Sequence, residues 1–237
     1  GARAGVPELW WARGRGGGGA FFGPSINPHI VNEVYVASDM SDLFRSTDSG
    51  ATWETVDFRT MAGGNQPTGL QFTSDPKVLY GLNSGVPSRS PDGGRTWVAI
   101  PRDIWSQDSY VLFADPTGTN RLLISDYTTL YLSTNSGASY AAKYTASDLL
   151  IGGVFFDGNT ILAGTRAGFL VSGNGGASFA LSGIGGIAAG QEILSFAGGK
   201  SNGVTRLICI TGGAGGVYPG IQGSEHWSYR SVYRLRY

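Results

Sequence analysis

Four segments of the chain align without gaps: Ser46-Thr-Asp48-Ser-Gly50-Ala-Thr52-Trp53, Ser90-Pro-Asp92-Gly-Gly94-Arg-Thr96-Trp97, Ser133-Thr-Asn135-Ser-Gly137-Ala-Ser139-Tyr140 and Ser172-Gly-Asn174-Gly-Gly176-Ala-Ser178-Phe179. From Ser46 to Ser90, Ser133 and Ser172 the steps are 44, 43 and 39 residues. A near-constant period of this length restricts the chain to folds that repeat one supersecondary unit. The shared pattern, Ser-x-Asp/Asn-x-Gly-x-Ser/Thr-aromatic, is that of a turn. Its Asp or Asn accepts bonds from nearby backbone N–H groups. Its Gly supplies a positive φ that a Cβ would resist, and its aromatic residue anchors the strand that follows.

Short β-rich runs precede each turn. Ala20-Phe21-Phe22 and Glu33-Val34-Tyr35-Val36-Ala37 flank the turn at Asn27-Pro28. Leu70-Gln71-Phe72 and Val78-Leu79-Tyr80 flank Asp75-Pro76. Val111-Leu112-Phe113 and Leu122-Leu123-Ile124 flank Asp115-Pro116, and Val154-Phe155-Phe156 and Ile161-Leu162-Ala163 flank Asp157-Gly158. Strands separated by Pro, Gly, Asn and Asp, four to a period, predict the blade of a β-propeller. The 39 glycines, more than twice the usual share of about 7%, serve the turns of such a fold. A fifth repeat begins at Ile193-Leu194-Ser195-Phe196 and passes through Leu207-Ile208-Cys209-Ile210. A Gly-rich insert, 212–228, precedes Val232-Tyr233-Arg234-Leu235, and no fifth turn of the pattern follows. The expectation is an all-β propeller of about five four-stranded blades over residues 1–237, the last blade short of its outer strand. Either Leu9-Trp10-Trp11-Ala12 supplies that strand, or the chain is part of a larger propeller or a two-propeller protein.

The repeated turn resembles the Asp-box (BNR) hairpin of sialidases, xyloglucanases and sortilin-type receptors, which joins the third and fourth strands of a blade and is structural there. That resemblance makes Ser46, Asp48, Gly50, Trp53, Asp92, Gly94, Trp97, Asn135, Gly137, Asn174 and Gly176 fasteners. The first repeat, from Gly16 through Val34-Tyr35-Val36-Ala37-Ser38-Asp39 to Leu43-Phe44-Arg45-Ser46, also resembles the opening blade of xyloglucanase-type glycoside hydrolases. In that family an Asp after the second strand is one of two catalytic carboxylates, and Asp39 is the matching position. The chain departs from the family in two ways. The partner carboxylate comes from a second propeller, for which there are too few residues here, and Met40-Ser41-Asp42 stands where those enzymes have a Gly pair.

Counting back seven residues from the first Ser of each turn reaches Asp39, Asn83, Asp126 and Thr165. The equal offset predicts equivalent positions at the end of each second strand, on the face opposite the Asp-box turns. Loops on one face of a rigid scaffold are where function collects. Inverting glycosidases need two carboxyl groups roughly 6.5–9.5 Å apart, and Asp39 with Asp126 is the pair the repeat suggests. The plainer alternative for each is a strand cap. Asn83, Trp105, Tyr110 and Arg166 complete the candidate ligand-binding set, since indole and phenol rings suit the apolar faces of sugars. The same face is expected to carry Asp42, Asp103, Asp108 and the insert with Glu225, His226 and Trp227.

Other chemistries find little support. Seventeen basic residues balance seventeen acidic ones, so no electrostatic footprint for nucleic acid or an anionic membrane exists. No run approaches the ~18 apolar residues of a membrane span. Cys209 stands alone in an apolar run, as a buried structural thiol does, and no Cys/His cluster offers a metal site. The Arg triad and Tyr/Glu pair of sialidases are missing. His29 lies in a turn on the opposite face and His226 in the insert, so no Ser-His-Asp triad is suggested. No cofactor motif is present. The expected partner is an oligosaccharide or polysaccharide, with a non-catalytic protein-interaction scaffold as the alternative. The family resemblance implies a secreted setting, extracellular or periplasmic.

Overall fold

The computed structural model describes residues 21–38, 42–62, 68–101, 109–183, 186–213 and 229–236. Among these residues there are nineteen β-strands and no helix. Blade 1 is β1 (Phe21–Ile26), β2 (Val34–Ser38), β3 (Leu43–Ser46) and β4 (Glu54–Thr55). Blade 2 is β5 (Gln71–Phe72), β6 (Leu79–Asn83), β7 (Val86–Ser90) and β8 (Val98–Ala99). Blade 3 is β9 (Val111–Ala114), β10 (Leu122–Ser125), β11 (Thr129–Ser133) and β12 (Ala141–Thr145). Blade 4 is β13 (Ile151–Asp157), β14 (Thr160–Thr165), β15 (Gly168–Ser172) and β16 (Ala180–Ser182). Blade 5 shows three strands among the described residues, β17 (Gln191–Ser201), β18 (Val204–Gly213) and β19 (Tyr229–Arg236). Strands are antiparallel and ordered as in the sequence, and the five sheets are arranged as a β-propeller, as the repeat predicts. The Leu9–Ala12 run and residues 214–228 of the insert lie outside the described residues; its first two glycines belong to β18.

The second strand of each blade explains the apolar runs. Successive side chains point to opposite faces, and both faces are covered by neighbouring blades, so the run is apolar without alternation. Leu122 and Ile124 pack toward blade 2, with Val78, Tyr80, Leu82 and Ile100. Leu123, between them, packs toward blade 4, with Ile151, Phe156, Ile161 and Leu170. Blades 4 and 5 meet through Phe155, Leu162, Ile193, Phe196, Leu207 and Cys209. Blades 1 and 2 meet through Tyr35, Leu43, Met61, Leu70 and Leu79. Each fully buried Leu or Ile here contributes about 1.5–3 kcal/mol. Cys209 is buried as expected, and burial pushes its thiol pKa up. At the two ends of the series apolar residues face outward: Ile26 of β1 is 74% exposed, and Ile208 of β18 and Val232 of β19 are 47% and 65% exposed.

The repeated turns hold the β3–β4 type hairpins and tie them inward. In blade 1, Gly50 N–H donates to Ser46 Oγ (2.8 Å), which itself donates to Asp48 Oδ1 (2.8 Å). Thr52 N–H donates to Asp48 Oδ1 (2.8 Å) and Thr52 Oγ1 to Asp48 Oδ2 (2.7 Å). Ser90, Ser133 and Ser172 repeat this with Gly94, Gly137 and Gly176 at 2.8, 2.9 and 2.9 Å. In blades 3 and 4 the roles at the rim invert: Asn135 and Asn174 donate through Nδ2 to Ser139 and Ser178 Oγ, both at 2.8 Å. Two consecutive left-handed residues make the turn. Ser49 and Gly50 stand at φ +58° and +85°, and Gly175 and Gly176 at +73° and +93°. The backbone N–H of the first of these donates to the β1–β2 type turn of its own blade, Ser49 to Asn32 O and Gly175 to Asn159 O, at 2.9 and 2.8 Å. The glycines also meet the preceding blade. A Cβ at Gly137 would lie 2.4 Å from Ile100 Cγ2, and one at Gly176 3.0 Å from Leu132 Cδ2. Trp53 and Trp97 close the turn, donating through Nε1 to the carbonyls of Gly50 and Gly94.

Candidate functional site

On the face opposite these turns, the four expected second-strand positions are not equivalent. The ladders pair Leu79 with Ser90, Leu122 with Ser133 and Ile161 with Ser172, but Val34 with Ser46. Blade 1 therefore carries one more residue in the connection between its second and third strands than blades 2, 3 and 4. Its counterpart of Asn83, Asp126 and Thr165 is Ser38, which is buried. The equal offset in sequence therefore does not carry over to the register of blade 1, where Ser38 N–H donates to Asp42 O at 2.9 Å. Asp39 and Trp105 lie outside the described residues, as do Asp103, Asp108 and Glu225, His226 and Trp227 of the insert.

Of these positions, Asp126 and Thr165 bond within their own loops, and Asn83 bonds the preceding connection. Asn83 Oδ1 accepts from Ala62 N–H at 3.1 Å, holding the connection from blade 1. Thr165 Oγ1 donates to Gly168 O at 2.8 Å across the hairpin it opens. Asp126 Oδ1 accepts from Thr128 N–H (3.1 Å), Thr128 Oγ1 (2.9 Å) and Thr129 N–H (2.8 Å), and Oδ2 from Tyr131 O–H (3.2 Å). Burial works to raise the Asp126 pKa, but the bonds from Thr129, Thr128 and Tyr131 outweigh it and hold the carboxyl below its usual range. These are the surroundings of a strand cap, with a carboxylate kept charged and turned into its own loop.

Tyr110 and Arg166 are likewise engaged. Tyr110 is buried at the entry to blade 3, its phenol oxygen accepting from Ile151 N–H of blade 4, and burial drives its pKa well above the ordinary value. Arg166, in the loop after β14, pairs with Asp148 of the blade 3–4 connection and, through Nε at 2.7 Å, with Glu192 Oε2 of blade 5. Burial raises the Glu192 pKa; Arg166 opposes the rise and Asp148 adds to it.

The sequence offered no reason to single out Tyr127, which the structure places at the centre of this region. Its ring stacks on Tyr110 with centroids 4.2 Å apart and 16° between the planes, and the residue is 45% exposed. Its backbone is left-handed, φ +77°, a conformation uncommon for a bulky side chain. Leu149 N–H donates to its carbonyl at 2.6 Å, which brings Asp148 alongside. Exposed aromatic and charged groups thus gather at the junction of blades 3, 4 and 5 on this face. The opposite face carries the turns and two structural ion pairs, also unread in the sequence. Glu33 is buried against Arg45 (2.8 Å to Nε), and Asp115 is buried against Arg121, which reaches Gly158 O of blade 4 at 2.8 Å. His29 lies on that side too, 2.8 Å from Thr73 O of blade 2.

The class of protein this defines is a β-propeller with irregular loops on one face. Among solved structures, the chain is similar to an ancestral GH74 enzyme, with a TM-score of 0.69 and 20% identity over 98% of this chain and 32% of that one. It is also similar to the GH74 xyloglucanase from Xanthomonas campestris, with a TM-score of 0.62 and 22% identity over 86% and 36% of the two chains. YCF48 from Cyanidioschyzon merolae matches with a TM-score of 0.55 and 14% identity over 90% and 71%. The chain spans about a third of the length of the GH74 enzymes it matches. No family model matches it, and no curated protein matches it in sequence. At these identities the likeness establishes the fold. No helix of the described residues is long and apolar enough to cross a membrane.

Proposed function

We propose that the chain is an Asp-box propeller acting on glycans through the face of the β2–β3 loops, with Asp39 as its principal carboxylate. The observation that carries this is the register of blade 1. That register makes Ser38 the counterpart of Asn83, Asp126 and Thr165, so the strand-end position of blade 1 belongs to Ser38. In sequence, the Asp that follows it stands at the position where xyloglucanase-type enzymes carry a catalytic carboxylate. The likeness to GH74 propellers over nearly the whole chain supports the same reading. Asp126, held charged and bonded within its own loop, is the weaker candidate for a second catalytic carboxylate; in this scheme it orders the loop that presents Tyr127.

Titration of xyloglucan and cello-oligosaccharides into the wild type and Asp39→Asn tests the proposal. Binding, with or without hydrolysis, that is lost or weakened in Asp39→Asn at unchanged melting temperature is the expected result. A wild type that binds no glycan overturns it. A protein partner on the same face is the second reading, supported by the similarity to YCF48 bound to D1 peptide, with a TM-score of 0.55 and 13% identity.

A further inference from the structure

We infer that this chain associates head to tail with a second copy of itself, the outward face of blade 5 on one copy packing against the outward face of blade 1 on the other. The inference does not depend on what the loop face binds.

Within the chain, neighbouring blades join through apolar side chains from two facing sheets. Blades 1 and 2, 2 and 3, 3 and 4, and 4 and 5 each share a buried cluster. Among the described residues no such cluster joins blade 5 to blade 1, and each of these two sheets keeps one face uncovered. On blade 1, Tyr35 and Leu43 point to blade 2. Alternation puts Val34, Val36 and Phe44 on the other side, and Ile26 stands opposite Val34. Phe21 joins them, its ring edge-on to Phe44 with centroids 6.4 Å apart. This face is apolar throughout, and Phe21 and Ile26 are 54% and 74% exposed. Blade 5 is built the same way. Leu207 and Cys209 point to blade 4. Arg206, Ile208 and Ile210 alternate with them, and Arg234 and Val232 stand opposite Ile208 and Ile210. Contiguous apolar surface of this kind marks a contact site.

Charge selects the occupant. Residues 21–62 hold six carboxylates and two arginines, whereas residues 191–237 hold five basic groups and two carboxylates. The chain as a whole is neutral, so the imbalance lies between its end blades. Two blade 5 faces brought together would set Arg206 and Arg234 of one against those of the other. Two blade 1 ends would repel through their carboxylates, and blade 5 on blade 1 is the pairing that attracts. The side chains match as well. The Phe21–Phe44 pair offers aromatic rings to the two arginines, and Ile208, Ile210 and Val232 give the blade 1 face an apolar counterpart. The joint between blades 3 and 4 already combines these elements, with Arg121 5.6 Å from the centre of the Phe156 ring beside a buried apolar cluster. A contact between unlike faces is heterologous, so copies either close a ring or continue as an open series.

The test is sedimentation velocity on the full chain and on two variants, Ile208→Glu in blade 5 and Ile26→Lys in blade 1, each placing on its face the charge that the opposing end repels. Wild type should rise above the mass of one copy over an about hundredfold range of concentration. Each variant alone should associate about tenfold more weakly or less, at an unchanged urea midpoint. An equimolar mixture of the two should regain a two-copy species, because it pairs the intact blade 1 face of one variant with the intact blade 5 face of the other. If Ile208→Glu does not fold, Val232→Glu takes its place with the same expectation. A wild type that stays at the mass of one copy throughout overturns the inference. So does association that both variants retain, which assigns it to another surface, and so does a mixture that stays as single copies.

Discussion

Ser133→Ala should unfold more easily than any exposed substitution nearby, because the hydroxyl it removes is the hub of a turn. Ser133 Oγ accepts from Gly137 N–H at 2.9 Å and Asn135 N–H at 3.3 Å, and donates to Asn135 Oδ1 at 2.9 Å. The Gly137 N–H is the group that suffers. Ile100 and the Tyr140 hydroxyl wall this glycine so closely that a Cβ on it would meet them at 2.4 and 2.9 Å. Water has no room to replace the lost acceptor, and a buried donor left unpaired costs about 1–3 kcal/mol. Asn135 Oδ1 keeps its bond from Ser139 N–H at 2.9 Å, so the rim of the turn survives. A net loss of about 2 kcal/mol at a urea slope of about 3 kcal/mol/M moves the midpoint down by about 0.7 M. Ser136→Ala is the control: its hydroxyl bonds Asn120 at the surface, and its cost should stay within about 0.5 kcal/mol. Equal midpoints for the two variants would refute the hub assignment.

Acid should weaken blade 1 through Asp48, whose pKa is lowered to about 2 by bonds from Thr52 and Ser46. A depressed folded-state value means the contribution is complete above the unfolded value near 3.8 and is lost as pH falls toward about 2. Asp48→Asn, which cannot titrate, should therefore show a shallower fall in urea midpoint between pH 4 and pH 2 than wild type, where the bounds are about those two pKa values. Leu123→Ala, buried between blades 3 and 4, should cost about 2–5 kcal/mol, whereas Ile208→Ala on the exposed side of blade 5 should cost under about 1 kcal/mol by denaturant melts. Glu33→Ala removes one of the two carboxylates that pair with Arg45, Glu54 being the other, and takes the acceptor from Asn27 Nδ2; it should cost about 1–3 kcal/mol in the same assay.

The blade plan was legible because it is written twice, once in the turn motif and once in the apolar runs between turns. Leu122-Leu123-Ile124 reads as a strand covered on both faces, and it is one. The Ser, Asp and Gly of each turn are legible for the same reason, while the Ser's place at the hub is not: a hydroxyl that accepts from one group and donates to another looks in sequence like any polar turn residue. The registers misled the count in blade 1. The seven-residue offset is constant in sequence, but Val34 rather than Tyr35 faces Ser46, so Ser38 takes the level of Asn83, Asp126 and Thr165. The sequence offers Tyr110 as a ring for binding sugars; its burial depends on a contact 41 residues away, through Ile151. Tyr127 was missed for the converse reason. Only the turn conformation after Asp126 and the ring beneath it make it prominent, and neither has a signature in one sequence. The sequence offers Arg166 for ligand binding, and its partners, Asp148 in a connection and Glu192 at the start of β17, carry no periodic pattern.

The central claim is that one face of this propeller receives a glycan and the other fastens the blades. Hydrogen–deuterium exchange with and without saturating xyloglucan oligosaccharide tests it most directly. Slowed exchange confined to the β2–β3 loops and the blade 3–4 connection, about residues 38–43, 126–129, 148–151 and 165–168, with the turns at Asp48, Asp92, Asn135 and Asn174 unchanged, is the predicted result. Protection at those turns instead, or no protection anywhere, would contradict it.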